Sequence, residues 1–143
     1  MRDKIVTFLR TKNIEILDND DEIINLFLGA LIVGKIDYWL KRAFDFIDNK
    51  QPETPNEREW SELAERDKAY RTNFLQLDNE VKTQIKKLLR ESIEGIVFSI
   101  LSELDENWMI SFDNEEIKGT ANKNGELHAD LYKWLDLFEE NEN

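Results

Sequence analysis

The longest regular apolar pattern in this chain runs from Asp78 to Asp105, and it restricts the fold more than any other feature. Apolar residues recur there three and four positions apart, at Val81, Ile85, Leu88, Leu89, Ile93, Ile96, Val97, Ile100, Leu101 and Leu104. This spacing places them along one side of an α-helix. At 1.5 Å per residue, a helix over residues 78–105 is about 42 Å long, enough to span a domain. A buried strand at residues 96–100 is the alternative, but the unbroken helical spacing favours the helix.

A short helix is predicted near the N-terminus. Asp3 has a side chain suited to a helix N-cap, and the apolar residues Ile5, Phe8 and Leu9 follow at helical spacing before a break near Asn13. We therefore expect this first helix to bury one narrow apolar side.

The acidic stretch at residues 18–22 precedes a second, strongly apolar segment. Carboxylates at this position stabilise the positive end of the helix dipole, so capping explains them without a ligand. A calcium loop is excluded, because Ile23 stands where such a loop requires glycine and Gly29 stands where it requires glutamate.

Residues 22–47 are predicted to form the central helix or helix pair of the core. Apolar residues repeat with helical spacing on both sides of Gly34, which marks a kink or a division into two helices. The longest uninterrupted apolar run, residues 26–33, is far shorter than the ~20 residues that cross a bilayer, and charged residues flank it. We therefore expect no membrane-spanning segment here.

The polar stretch at residues 48–55 contains both prolines of the chain and is predicted to be a loop. Thr54, Pro55 and Glu57 then form the N-cap, first-turn and capping-box positions of a further helix. This start signal predicts a helix before the long one that begins at Asp78.

The apolar period changes from helical to alternating after Asn107. Trp108, Ile110 and Phe112 alternate with other residues, and residues 117–121 supply a return strand, so a β-hairpin is predicted. A final helix follows. Its apolar stripe consists of Leu127, Leu131, Trp134, Leu135 and Phe138.

These segments predict a mainly α fold that forms a single helical domain over residues 1–143. It is a helical bundle of about five helices, with a small β-hairpin at about 108–121 before the C-terminal helix. An all-α fold is the nearest alternative. Charged residues make up 35% of the chain and hydrophobic residues 41%, so the chain has enough apolar surface to fold despite its charge.

The only histidine, His128, lies between Glu126 and Asp130 and raises the question of a metal or acid–base site. On a helix, His128 and Asp130 point about 200° apart, so the three side chains cannot converge on one ion. Glu126 and Asp130 share a polar face that His128 does not join. We therefore predict that His128 lies at the boundary of the apolar stripe and binds no metal.

The sequence contains none of the common catalytic signatures. It has no cysteine, and phosphate-binding glycine loops, GxSxG and HExxH do not occur. We therefore predict that the protein is not an enzyme and uses no cofactor. Absence of cysteine and of a secretory signal indicates a cytoplasmic location.

The net charge of −12 is concentrated near the C-terminus, where residues 106–143 carry ten acidic and three basic residues. Such a field repels phosphate backbones and anionic lipid, which argues against nucleic-acid or membrane binding and favours a basic protein partner. The basic cluster on the long helix is interpreted as a solvated helix face; it consists of Lys82, Lys86, Lys87 and Arg90.

The leading functional hypothesis is a non-catalytic module that binds a basic partner through its acidic C-terminal surface. In size, charge and helical content, the chain resembles small acidic immunity proteins, antitoxins and inhibitors. Most of the four tryptophans are predicted to lie in the core, but Trp108 is surrounded in sequence by carboxylates, as binding hot spots often are. Closure of the hairpin over the helices is nevertheless the favoured role of Trp108, and partner binding is the alternative. The predicted partner-binding residues are Glu106, Trp108, Asp113, Glu115, Glu116, Glu126 and Asp130.

Two other classes of function are kept as alternatives. A regulatory or scaffold protein would form homo-oligomers through surplus apolar surface in residues 22–47. A small-ligand sensor or enzyme would have a pocket between helices, lined by Tyr38, Tyr70 and carboxylates of raised pKa.

Overall fold

The computed structural model describes residues 1–14, 19–48, 72–113, 115–123 and 126–138. The described residues are mostly helical (77%), and they include five helices and a two-stranded antiparallel hairpin before the last helix. The predicted helical bundle is therefore confirmed. The predicted capping box at Thr54, Pro55 and Glu57 lies outside the described residues.

Spatial contacts group the chain into two compact units. Unit 1 comprises Met1–Asp37 and Glu94–Asn143, and unit 2 comprises Tyr38–Ile93. The single domain over residues 1–143 stays a prediction.

Helix α1 spans Arg2–Thr11. Its N-cap residue is Met1, which makes no side-chain capping bond, and Asp3 lies inside the first turn, so the prediction of Asp3 as N-cap is wrong. The carboxylate of Asp3 still lies near the positive end of the helix dipole. Ile5 and Leu9 are buried, as their spacing predicts.

Helix α2 is continuous over Asp20–Ile47, so Gly34 does not divide it. The acidic residues Asp20, Asp21 and Glu22 occupy its first turn, as predicted. By length and composition this helix is long and apolar enough to cross a membrane. The longest uninterrupted apolar run, residues 26–33, did not indicate this. The core helix of a globular protein meets the same criterion. In α2, 39% of the most apolar window is buried inside the protein.

Helix α3 is described only at residues 72–75, and helix α4 spans Asn79–Asn107. Asp78 caps α4, because its Oδ1 accepts a hydrogen bond from the backbone amide of Val81 at 2.8 Å. The stretch at 96–100 is helical, as the spacing predicts. However, the helix does not bury its whole apolar side. Among the described residues of α4, only Leu101 is buried.

The hairpin consists of β1 (Ser111–Asp113) and β2 (Lys118–Thr120), paired antiparallel with Phe112 opposite Gly119. A hairpin of this length needs support from the rest of the protein. The support comes from α2, since Asp21 Oδ1 accepts the backbone amide of Thr120 at 2.7 Å. Gly119 permits this approach, because a Cβ atom there would lie 2.7 Å from the same carboxylate oxygen.

Helix α5 spans Leu127–Phe138 and supplies the densest part of the core. All five predicted stripe residues are buried, and Trp134 has no exposed surface. Its indole lies against Gly29 of α2, where a Cβ atom would come within 2.4 Å of the ring. The α2–α5 contact in unit 1 therefore depends on a glycine opposite a tryptophan.

Candidate functional site

The seven predicted partner-binding residues fall on two parts of unit 1. Glu106, Trp108, Asp113, Glu115 and Glu116 lie on or beside the hairpin, and we call them, with Met109, the hairpin surface. Glu126 and Asp130 instead line an open groove at the start of α5.

Trp108 is held by its backbone and leaves its side chain in solvent. Its amide donates to the carbonyl of Leu104 at 2.8 Å, and its carbonyl accepts from Asn122 Nδ2 at 2.7 Å. Trp108 is 69% exposed, and the neighbouring Met109 is 71% exposed. Trp108 therefore does not close the hairpin over a buried core. Of the other tryptophans predicted to lie in the core, Trp134 is buried, Trp39 is 59% exposed, and Trp60 lies outside the described residues.

The carboxylates of the hairpin surface differ in how far they are neutralised. Glu116 pairs with the N-terminal amine of Met1, and Asp113 pairs with Lys118 at 3.1 Å. Glu106 and Glu115 are exposed and form no ion pair within the described ranges. Two carboxylates near Trp108 in sequence are thus available to a cation from outside.

The groove has a volume of about 390 Å³ and lies between the start of α2, the end of the hairpin and the first turns of α5. Its lining consists of Asn19, Asp21, Glu22, Asn25, Thr120, Ala121, Lys123, Glu126, Ala129, Asp130 and Lys133. Carboxylates outnumber ammonium groups by four to two in this lining, so the groove favours cations.

Asn25 organises the floor of the groove. Its Nδ2 donates to the carbonyl of Ala121 at 3.0 Å and to Asp130 Oδ2 at 2.8 Å, while its Oδ1 accepts from Trp134 Nε1 at 3.1 Å. One amide side chain therefore ties α2 to the hairpin and to α5. Asp130 therefore lines the groove and also accepts a hydrogen bond that holds α2 to α5. Its position on the polar face of α5 did not indicate this second role.

Two carboxylates at the start of α2 form ion pairs with basic residues from other parts of the chain. One partner lies about a hundred positions away, and the other lies at the N-terminus. Lys123 Nζ lies 2.6 Å from Asp21 Oδ2, and this hydrogen bond, with the Thr120 amide, lowers the pKa of Asp21. Arg2 Nε lies 2.9 Å from Asp20 Oδ1 and lowers the pKa of Asp20. The sequence prediction assigned these acids to the helix dipole alone.

In contrast, three charged side chains of the groove have no such partner among the described residues: Glu22, Glu126 and Lys133. None of the three side chains makes a hydrogen bond or ion pair with another described residue. The groove therefore offers two carboxylates and one ammonium group to a ligand or to a side chain of a partner.

His128 lies at the edge of the buried stripe, as predicted, and its partner is Asp105 of α4. His128 Nδ1 lies 2.8 Å from Asp105 Oδ2, and the backbone amide of His128 donates to the same oxygen at 3.1 Å. Asp105 thus caps α5 from another helix. Burial by itself would raise the pKa of Asp105, but the amides of Leu127 and His128 and the imidazole outweigh it, so the pKa lies below its usual value.

The three side chains at residues 126–130 do not converge. His128 bonds to Asp105, Asp130 bonds to Asn25, and Glu126 faces the groove. Within the described part of the chain, no three histidine or carboxylate side chains are grouped closely enough to hold a metal ion.

Comparisons with known protein families, characterised proteins and solved structures found no match to this chain.

Proposed function

We propose that this protein is a non-catalytic module that binds a basic protein partner, with the hairpin surface as its primary contact and Trp108 as the anchor. The observation that carries the proposal is that Trp108 is 69% exposed while hydrogen bonds hold both its backbone amide and its carbonyl. A rigid aromatic side chain loses little conformational freedom on binding, and its burial contributes a large apolar area.

The charge around Trp108 determines the sign of the charge that the partner must carry. Glu106 and Glu115 are exposed without an ion pair in the described residues, and the pair between Asp113 and Lys118 is too exposed to neutralise the surface strongly. Complementary charge of this kind accelerates encounter with a basic surface and has a smaller effect on the lifetime of the complex. Binding should therefore become slower as salt concentration rises.

The groove supplies a second contact for the same partner. Glu22 and Glu126 line the groove with Asn25, and their carboxylates make no ion pair among the described residues. A lysine or arginine side chain of the partner would satisfy both carboxylates, and Lys133 would discriminate against a second cation beside it.

Catalysis or small-ligand sensing is less well supported. A general acid in the groove needs a carboxyl of raised pKa, whereas the pKa of Asp21 is lowered. Of the tyrosines predicted to line a pocket, Tyr38 is exposed and accepts a hydrogen bond from Arg42, and Tyr70 lies outside the described residues.

The proposal is tested by affinity capture from the native organism with three immobilised baits. These are the wild-type protein, Trp108→Ala and Tyr132→Ala, the last a matched control because Tyr132 is also an exposed aromatic residue of unit 1. We expect a basic protein that the wild type and the control retain and that Trp108→Ala releases at least about tenfold faster.

Interferometry with the purified partner should then show an association rate that falls with added salt and with Glu106→Gln plus Glu115→Gln. A partner retained equally by all three baits, or an association rate independent of salt, would contradict the proposal.

A further inference from the structure

A second exposed aromatic surface lies on α2 within unit 2, and it has the opposite charge. Tyr38 and Trp39 are 49% and 59% exposed, and their rings meet edge to face with centroids 5.4 Å apart. Arg42 lies between them, with its Cζ atom 5.8 Å from each ring centroid and its Nη1 donating to the Tyr38 hydroxyl at 3.0 Å. We call Tyr38, Trp39, Lys41 and Arg42 the α2 cluster.

Local helix stabilisation accounts for only part of this arrangement. Tyr38 and Arg42 are four positions apart, and such a pair stabilises a helix in water. It does not explain why Trp39, on an exposed side of the helix, is an indole rather than a polar residue. Tryptophan, tyrosine and arginine are the three residue types most enriched at binding hot spots, and here they are already held in one geometry.

The chemistry of the α2 cluster calls for carboxylates beside an apolar group. Arg42 forms no ion pair among the residues that the structure describes, so most of its N–H groups can meet an acceptor from outside. Lys41 adds a second cation, and its Nζ lies 3.7 Å from Asp45 Oδ2. The described residues of unit 2 carry six basic and five acidic residues, whereas those of unit 1 carry eight and fifteen. The α2 cluster therefore lies in the less acidic part of the chain.

The hairpin surface of unit 1 has the matching composition. Trp108 and Met109 are both more than two-thirds exposed, and Glu106 and Glu115 lie near them in sequence without ion pairs in the described chain. Each copy of the protein thus carries one acidic and one basic surface, and each of the two contains an exposed tryptophan.

We propose that the α2 cluster of one copy docks on the hairpin surface of a second copy. The proposal rests on the proposed function, because it uses the same hairpin surface and identifies one basic partner of that surface as the chain itself. The contact joins two different surfaces, so successive copies add head to tail, and the assembly grows with concentration unless its rotation closes a ring.

Two copies of net charge −12 repel each other at long range. Self-association should therefore be measured at about 0.15 M salt, where the screening length is about 8 Å. Short-range contacts between the two surfaces then dominate. This requirement separates self-association from capture of a strongly basic partner, which is fastest at low salt.

Sedimentation velocity on two complementary variants and their mixture tests the proposal. Trp39→Ala plus Arg42→Glu removes the α2 cluster, and Glu106→Lys plus Glu115→Lys removes the hairpin surface. We expect the wild type to gain mass with concentration up to ~1 mM and each variant to remain monomeric, with affinity at least about tenfold weaker. An equimolar mixture of the two variants should form a one-to-one complex, because it retains one intact contact. Circular dichroism establishes that both variants fold.

Arg10→Glu is the matched control, since it changes the charge as much as Arg42→Glu but lies on α1, outside both surfaces and outside the groove. It should associate like the wild type. A wild type that stays monomeric, or a mixture that forms no complex, would overturn the inference. A monomeric wild type that still captures a basic protein through Trp108 refutes self-docking alone, whereas capture independent of Trp108 refutes the proposed function.

Discussion

Replacement of Gly29 by alanine tests the packing on which unit 1 depends. Gly29 lies inside α2, where alanine normally improves helix stability by about 1 kcal/mol. Here the added methyl carbon would lie 2.4 Å from Trp134 Cγ and 2.5 Å from both Cδ atoms. Trp134 is fully buried and its Nε1 is bonded to Asn25, so the ring has no free space to enter.

The two effects have opposite signs, and the steric one is larger. Overpacking of a core costs about 1–3 kcal/mol, and contact with a buried ring at this distance belongs at the upper end of that range. After the gain in helix propensity is subtracted, Gly29→Ala should lower the free energy of unfolding by about 2 kcal/mol. Urea unfolding followed by circular dichroism measures this as a lower midpoint at unchanged slope.

Two other helical glycines provide controls, because a Cβ atom at Gly34 or Gly95 meets nothing within 4 Å. Alanine at either position should raise the free energy of unfolding by about 0.5–1 kcal/mol. If Gly29→Ala stabilises the protein as the controls do, the close contact between α2 and the indole does not exist.

The remaining predictions concern the polar contacts of unit 1. Asn25→Ala leaves a buried indole N–H and a carboxylate without their partner and should cost about 2–4 kcal/mol in urea unfolding, whereas an exposed asparagine replaced as a control should cost under ~0.5 kcal/mol. Asp20 and Asp21 have pKa values below the ordinary 3.8, so the stability they contribute is present above pH 3.8 and is lost as the pH falls through their folded values. Acid unfolding of Asp20→Asn plus Asp21→Asn should therefore be less steep than that of the wild type, and an identical profile would refute the assignment. Asp105→Ala removes the cap of α5 and the partner of His128 and should lower the unfolding free energy by about 1–2 kcal/mol; a change below ~0.3 kcal/mol would contradict this capping role.

The amphipathic pattern of α5 was sufficient to predict its buried side completely. Its five apolar positions form one stripe, and a short helix with one stripe has one way to face a core. Leu88, Ile96 and Ile100 of α4 are more than half exposed although they belong to an equally regular pattern. An apolar stripe along a helix of 29 residues does not specify which part of its length neighbouring elements will cover.

The candidate site was predicted in part. Trp108 and its carboxylates were identified from composition around a predicted hairpin, and their exposure is visible only in the structure. Glu126 was predicted to share a helix face with Asp130, whereas it precedes α5 and lines the groove with Asp130. Asp21 and Glu22, which line the same groove, were assigned only to a helix dipole. The α2 cluster was missed, because helical spacing alone indicated that Trp39 is a core residue.

The sequence by itself determined the helices, the hairpin and the excess of negative charge, because periodicity, turn residues and charge act over a few neighbouring positions. Tertiary structure decided the contacts of Asn25 with Ala121 and Trp134, which join residues 96 and 109 positions apart, and the pair of Asp105 with His128. It also decided which tryptophans are covered. Burial and pairing depend on which elements meet in space, and the local pattern of one segment contains no information about the surface that another segment brings to it.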